Sequence, residues 1–532
     1  MIRLLIGAYV LTIFSHFARL ARAGFVFARE GVLALIDPKP LPVPARAALR
    51  IARLIERPSG GGSAVRLGAA LTALGPTYVK LGQFLATRPD VVGVALARDL
   101  ERLQDKMPPF SQAEAEATVG TALEKPLTDV FVTFGPPVAA ASIAQVHRAE
   151  IKTAEGTRAV AVKILRPGIE RRFRVDLDAF FFAARLAERW SSEARRLRFV
   201  EVVDTLARSV TMEMDFRLEA AAISEMADNI KADPDFRVPS VDWDLTARDV
   251  LVLDWIDATP LSDFAALAAK GYDLPQLGRG VIQSFLRHAM RDGFFHADMH
   301  PGNLFVDAES RLIAVDFGIM GRLGPKERRF LAEILYGFIT RDYLRTAAIH
   351  FEAGYVPRHH SVESFAQAIR AIGEPIHNRT AEDISMAKLL MLLFEVTGLF
   401  DMKTRPELLL LQKTMVVVEG VARKLDPKLD MWSTAEPVVR EWIERHLGVV
   451  GRLEDATTGT AEVGRFLGTV PSLLNRAATI ADQLDAATRD GIVLAPETVA
   501  AIGRAEARRS RWTTVALWAI AALLALLIVR LS

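Results

Sequence analysis

Three polar residues placed around one short hairpin constrain this chain more than any other feature. Phe295-His296-Ala297-Asp298-Met299-His300-Pro301-Gly302-Asn303 is followed thirteen residues later by Asp316-Phe317-Gly318. Between them, Leu304-Phe305-Val306 and Leu312-Ile313-Ala314-Val315 read as short apolar strands joined by a turn over 307–310. Such a hairpin presents Asn303 and Asp316 together, with Asp298 five residues upstream in the preceding loop. Two carboxylates and an amide at this spacing suit a divalent cation and the phosphates it carries. A surface loop with scattered acids is the plain alternative, and the shared register of all three residues argues against it.

The same intervals occur in protein kinases, where the catalytic-loop Asp and Asn and the Asp of Asp-Phe-Gly perform that task. Other stretches agree. Val160-Ala161-Val162-Lys163 reads as a strand ending in the lysine that meets α- and β-phosphates. Such a lysine needs a carboxylate, and Glu213, Asp215 and Glu219 are the candidates. On a helix Asp215 and Glu219 share a face and Glu213 points elsewhere; Glu219 is the favoured partner. The expected Gly-x-Gly-x-x-Gly loop is missing. Ala139-Ala140-Ala141-Ser142 stands in its place, and alanine does not readily reach the positive φ angles that let backbone N–H groups wrap phosphates. Upstream, Lys80 and Gln83 share one face of a helix, with Gly82 between them at a cost of about 1 kcal/mol relative to alanine.

Composition narrows the chemistry further. With no cysteine in 532 residues, thiolate zinc sites, iron–sulfur clusters, disulfides and cysteine nucleophiles are excluded. A net charge of +2 gives no reason to expect a nucleic-acid partner. Residues 512–529 form a charge-free apolar run near the minimum for spanning a bilayer, preceded by Arg504, Arg508, Arg509 and Arg511. The positive-inside asymmetry predicts one C-terminal span with everything before it cytoplasmic. Near the N-terminus, arginines recur among Phe14, Phe17, Leu20, Phe25 and Phe27. That pattern fits a basic amphipathic helix on a membrane, with a packing helix as the alternative.

The chain divides at composition shifts. Residues 1–58 are a helical N-terminus and a proline-rich linker. A helical extension over 64–125 carries Lys80-Leu81-Gly82-Gln83 and reads as helix to Lys106. Residues 126–260 form a small β-rich lobe, with strands near 130–134, 144–149 and 159–164, a long helical insertion over 174–229, and returning strands at 238–241 and 250–254. A helical lobe spans 261–450, a helical region 451–511, and the anchor 512–530. The expected class is α+β, a bilobal protein-kinase-like fold with an N-terminal helical extension and a C-terminal transmembrane helix.

Taken together, Lys80-Leu81-Gly82-Gln83, the alanine-rich loop, Lys163, Glu213-Met214-Asp215, the Asp298/Asn303 loop and Asp316-Phe317-Gly318 resemble the UbiB family of atypical kinase-like proteins. The likeness covers roughly residues 60–430 and includes Glu419-Gly420 and Leu425-Asp426-Pro427. It implies ATPase rather than protein-kinase behaviour, with ATP and Mg²⁺ as cofactors, in support of ubiquinone biosynthesis. By the resemblance, Lys163 pairs with Glu219, and Ala139 to Ser142 cover the nucleotide. Asn303 and Asp316 hold Mg²⁺, while Asp298 acts as base or orients the attacking water. Lys80, Gly82 and Gln83 lie over the cleft, with Lys80 and Gln83 meeting Glu213 and Asp215 in a regulatory role. Implied partners are membrane lipid, prenylated phenolic or quinone precursors and other ubiquinone-biosynthesis proteins, at the inner membrane.

Further residues point the same way. Ala297 replaces the arginine that usually precedes the catalytic Asp of kinases, and His300 stands where many keep a lysine. After Gly318 the chain runs through Ile319 to Pro325 into a helix, with no Ala-Pro-Glu and little room for an activation segment. Rival readings are a true protein or small-molecule kinase, a 2-polyprenylphenol hydroxylase, and a scaffold switched by ATP. The hydroxylase would need a flavin or metal, and neither a flavin fingerprint nor ligand spacing is present.

Overall fold

The computed structural model describes residues 2–35, 50, 53–57, 62–86, 88–101, 107–154, 156–376, 396, 398–402 and 406–447. The 37–46 linker, the 451–511 region and the apolar run at 512–529 lie outside the described residues. Among those described, no helix is long and apolar enough to cross a membrane. Residues to Ile443 form one compact unit, and a second begins at Glu444.

Alternation along one strand organises the small lobe. Strands β1 (Phe131–Ala140), β2 (Ala144–Thr153), β3 (Gly156–Leu165) and β5 (Val250–Asp254) form an antiparallel sheet in the order β1-β2-β3-β5. Val160, Val162 and Ile164 of β3 are fully buried against Ala115 and Val119 of a helix, Gln112–Leu123 (α5 below). Because side chains alternate, Lys163 must face the other way. Helix α5 begins at a capping box in which Ser111 and Glu114 satisfy each other's backbone N–H groups. The strands run several residues beyond their sequence-based limits: β1 continues through Gly135 to Ala140 opposite β2, and β2 and β3 continue to the pairs Lys152–Thr157 and Thr153–Gly156.

Ahead of the sheet, besides α5, lie α1 (Ile2–Arg29), α2 (Ser63–Leu74), α3 (Pro76–Ala86) and α4 (Val94–Glu101), with single helical turns at Pro89–Val92 and Leu127–Val130. The expected unbroken helix to Lys106 is thus divided. Gly75 adopts φ +106°, and a Cβ there would lie 2.0 Å from a guanidinium nitrogen of Arg172, which donates to Leu74 O at 3.0 Å. Pro76 then opens α3, since its missing N–H costs nothing in a first turn. Residues 15–29 of α1 pack on α6 (Ile169–Trp190): Arg19 bonds Asp176 at 3.0 Å, and Phe17 and His16 contact the Phe182 ring. Thr77 Oγ1 donates to the same carboxylate at 2.7 Å, joining α1, α3 and α6. Along this packed stretch of α1, Phe17 and Phe25 remain about half exposed.

The expected helix over 174–229 is likewise broken into α6, α7 (Phe199–Glu213) and α8 (Phe216–Asn229), with a short turn of helix at Ser192–Arg196. The break falls at Asp215, which caps α8 by accepting from Arg217 N. Of the expected strand at 238–241, only a bridge from Val241 to Leu253 forms.

A second sheet underlies the large lobe in the order β4-β9-β8-β6, from β4 (Phe236–Arg237), β9 (Leu312–Ala314), β8 (Leu304–Val306) and β6 (Thr259–Pro260). Since β4 and β6 pair with the hairpin, a lobe boundary at 260 is not a clean break. Strand β7 (Phe294–His296) pairs with β10 (Met320–Arg322). Around these pack α9 (Leu274–Arg287), α10 (Pro325–Ile339), α11 (Tyr343–Glu352), α12 (Val362–Gly373), α13 (Pro406–Leu425) and α14 (Met431–Leu447). Leu277, Val281 and Phe285 of α9 recur at helical spacing and are buried.

Candidate nucleotide and metal site

Lys163 lies between two carboxylates. Its Nζ donates to Glu219 Oε1 and Oε2 at 2.8 and 3.0 Å and to Asp316 Oδ1 at 2.8 Å. Glu219 is brought there by helix periodicity: it shares the inner face of α8 with Phe216, Ala220, Ile223 and Met226. A carboxylate on an apolar stripe needs a cation, and Lys163 supplies it, with its ammonium also 5.4 Å from the Phe216 ring centre. Burial disfavours the ammonium, yet the charges of Asp316 and Glu219 outweigh it and push the Lys163 pKa up. The same ammonium holds Asp316 well below the usual carboxylate range, whereas burial pushes Glu219 up against the pull of Lys163. Lys163 and Asp316 are thus an ionised pair.

Asp316 is held at φ +62°, a left-handed conformation that aspartate tolerates better than most residues. Asn303, nearly buried, donates Nδ2 to Asp298 O at 3.0 Å and to Asp298 Oδ2 at 3.3 Å. Val315 N donates to Asn303 O at 2.9 Å, closing the base of the β8–β9 hairpin. Committing the Asn303 nitrogen to Asp298 turns its amide oxygen into the end a cation can take. That oxygen and the Asp316 carboxylate are hard donors, and so fit Mg²⁺.

Buried contacts fix the loop. His296 Nε2 lies 3.0 Å from Val315 O while Nδ1 accepts from Asp298 N at 3.1 Å, which assigns the proton to Nε2. Burial lowers the His296 pKa, so the ring stays neutral and structural. From α13, the fully buried Thr414 Oγ1 reaches Ala297 O at 3.0 Å. A π-helical turn, His288–Asp292, precedes β7; Arg291 there pairs with Asp233, and Met290 O accepts from Trp442 Nε1 of α14.

Lys80 of α3 pairs with Glu213 at the end of α7, both largely buried. The Lys80 charge also helps Lys163 depress Asp316. Gly82 is buried on α3, and Gln83 follows half-buried. The expected role of Asp215 changes: its carboxylate takes Arg217 Nε and Nη2 at 2.9 and 2.7 Å. Ending α7 at Glu213 is what separates these two acids.

The alanine-rich segment is a tight hairpin end. Ala139 and Ala140 are ladder residues opposite Val146 and Gln145, and Ala141 N donates to Ala144 O at 2.8 Å. Ser142 is fully buried, and none of Ala139 to Ser142 has a positive φ. The Ala141 N–H is therefore spent inside the turn. Two supports were not legible in the sequence. Arg166 Nη2 bonds Ala141 O and Pro108 O at 3.1 and 3.0 Å. Beneath the hairpin, buried Gln145 accepts from Phe110 N at 2.9 Å and lies 2.8 Å from His147 Nε2. Short-range pattern carries no trace of either, because both join residues far apart in the chain.

A strand lysine tied to a helix glutamate, facing an Asp–Asn loop across a hairpin aspartate, defines a kinase-like protein. Beyond Gly318, β10 pairs straight back to β7 and Pro325 opens α10, leaving a very short segment where kinases dock peptides. Residues 102–350 match the ABC1 atypical kinase-like domain, and residues 369–430 match the UbiB helical domain. The chain is 39% identical over 448 residues to the probable protein kinase UbiB of Marinobacter nauticus, covering 83% of this chain and 81% of that one. It is 41% identical over 397 residues to the probable protein kinase UbiB of Azotobacter vinelandii, covering 74% and 73%. A solved Mycobacterium tuberculosis structure, the Rv3197–erythromycin complex, aligns with TM-score 0.48 and 24% identity over 74% of this chain and 98% of that one, too distant to inform the site. This chain belongs to the UbiB family, a membership that implies a role in ubiquinone biosynthesis.

Proposed function

We propose that this chain is a membrane-anchored, Mg²⁺-dependent ATPase of the kinase-like class that acts on or extracts prenylated phenolic and quinone precursors. The observation that carries this reading is the Lys163 ammonium shared between Glu219 and Asp316. With nucleotide present, Lys163 would turn to the α/β-phosphates while Glu219 keeps its stem in place, freeing Asp316 for a cation shared with Asn303. Mg²⁺ bound there would offset negative charge on the terminal phosphates. Asp298, oriented by Asn303, would take a proton from or align the attacking water. The closed turn at Ala139 to Ser142 would roof the nucleotide by contact more than by phosphate N–H bonds. Lys80, Gly82, Gln83 and Glu213 would cover the cleft as a regulatory element, with Asp215 fixing the start of α8.

Membrane anchoring at 512–529, with the catalytic part on the cytoplasmic side of the inner membrane, would bring the cleft to substrates that partition into lipid. Phosphate release from Mg·ATP by purified protein, compared with Asp316→Asn, tests the reading. Loss of at least 100-fold in the variant is expected; an unchanged rate sinks it. Transfer to a protein or small molecule is the second reading, favoured by the complete set Lys163, Glu219, Asp298, Asn303 and Asp316. Phosphorylated products found by mass spectrometry, in amounts matching ATP consumed, would replace hydrolysis with transfer.

A further inference from the structure

We propose that His359, His360 and Asp401 form a surface site for a zinc-class transition-metal ion, built from residues that take no part in the nucleotide centre. The two histidines adjoin in a turn after Pro357, closed by His360 N donating to Pro357 O at 3.2 Å, immediately before Ser361 caps α12. Asp401 faces them from the segment 398–402. Both imidazoles direct Nε2 at the same oxygen: His360 lies 3.3 Å from Asp401 Oδ2 and His359 lies 3.6 Å from it. The three donor atoms lie within 4.8 Å of one another.

These separations are long for charge-assisted hydrogen bonds, which run about 2.7–2.9 Å. They suit ligands of one ion: two donors each about 2.0–2.1 Å from zinc at a tetrahedral angle stand roughly 3.3 Å apart. A weak ion pair shared by two solvated histidines is the plain reading, and the frame beneath the cluster argues for more. Phe400, next to Asp401, is buried with Tyr343, Phe365 and Ile369, its ring centre 5.0 Å from that of Phe365 and 5.2 Å from that of His360. The backbone turns outward at Asp401 with φ +48°. The carboxylate is thus set on a packed base opposite two convergent rings, whose centres lie 4.1 Å apart.

Two imidazoles and one carboxylate select zinc, cobalt or nickel over Mg²⁺, which prefers oxygen donors. His359 and Asp401 are more than 60% exposed at their side chains, so water would complete the shell. A bound ion would cross-link the turn before α12 to the segment leading to α13. That link ties the stretch after the kinase-like domain match, which ends at residue 350, to the helical-domain match at 369–430.

Calorimetric titration of Zn²⁺ into the full-length protein, with Mg²⁺ in excess, tests the site. Wild type is expected to bind one more ion than His360→Gln or Asp401→Asn, or the same ion at least tenfold more tightly. The exposed His359→Gln substitution guards against misfolding as a cause and should weaken binding as well. Co²⁺ should give tetrahedral visible absorption in wild type that each variant loses. Equal zinc affinity in wild type and all three variants, or a Co²⁺ spectrum unaffected by them, overturns the proposal.

Discussion

Lys163 serves two carboxylates with unlike surroundings, and its removal exposes the difference. Glu219 is 7% exposed at its side chain and depends on the ammonium, while Asp316 is 53% exposed and can be hydrated. Lys163→Met should therefore cost about 3 kcal/mol, mostly by stranding Glu219. Adding Glu219→Gln should restore part of that loss in a double-mutant cycle read by chemical denaturation, although neither variant should bind Mg·ATP normally. The pH dependence follows the charges. Asp316 is depressed in the folded state, so its stabilisation is complete above the ordinary carboxylate pKa of about 4 and fades as pH falls through its lower folded value. Lys163 is raised, so its share is complete below about 10 and fades as pH climbs through its higher folded value. Asp316→Asn should flatten stability against pH below about 4; an unchanged acid limb would show that the pair contributes nothing.

At the scale of elements, α13 holds the Asp298/Asn303 loop from a region more than a hundred residues further along the chain. Thr414→Val removes a hydroxyl whose single proton is shared between Leu410 O at 2.8 Å and Ala297 O at 3.0 Å, a loss of about 1 kcal/mol. Steady-state kinetics on the folded variant should show a fall in ATPase kcat larger than the change in KM, because the loop carries Asp298. The α2–α3 corner makes a second case. Gly75→Ala must accommodate φ +106° and displace Arg172, for a destabilisation of about 1–3 kcal/mol measurable by thermal unfolding. The β8–β9 hairpin was legible in the chain because its signal is local, apolar runs around a turn. The break near Asp215 was less so. Gly75-Pro76 is a strong local stop set inside an otherwise helical pattern, whereas a single acid is a weak one and capping by Asp215 decides that break.

For the whole molecule, the proposed function joins a nucleotide cleft to a lipid substrate. If the cleft works at the interface, anionic liposomes or phenolic head-group mimics should raise the ATPase rate of the full-length chain several-fold. A folded protein that ignores both would remove the lipid half of the proposal. By itself the sequence determined the kinase-like class to which the chain belongs. Asp298, Asn303 and Asp316 stand at short spacings around one hairpin, and strand alternation sets which way Lys163 faces. Helical phase placed Asp215 and Glu219 on one face, with Glu219 the favoured partner of Lys163. Only the tertiary structure decided which of the three acids meets which lysine: Glu219 takes Lys163, Glu213 takes Lys80, and Asp215 turns to Arg217 as a helix cap. The same holds for Asp176 tying α1 to α3, and for Thr414 and Arg166 bracing loops far away in the chain. Such partners are chosen by the packing of distant elements, and no periodicity within a single element encodes them.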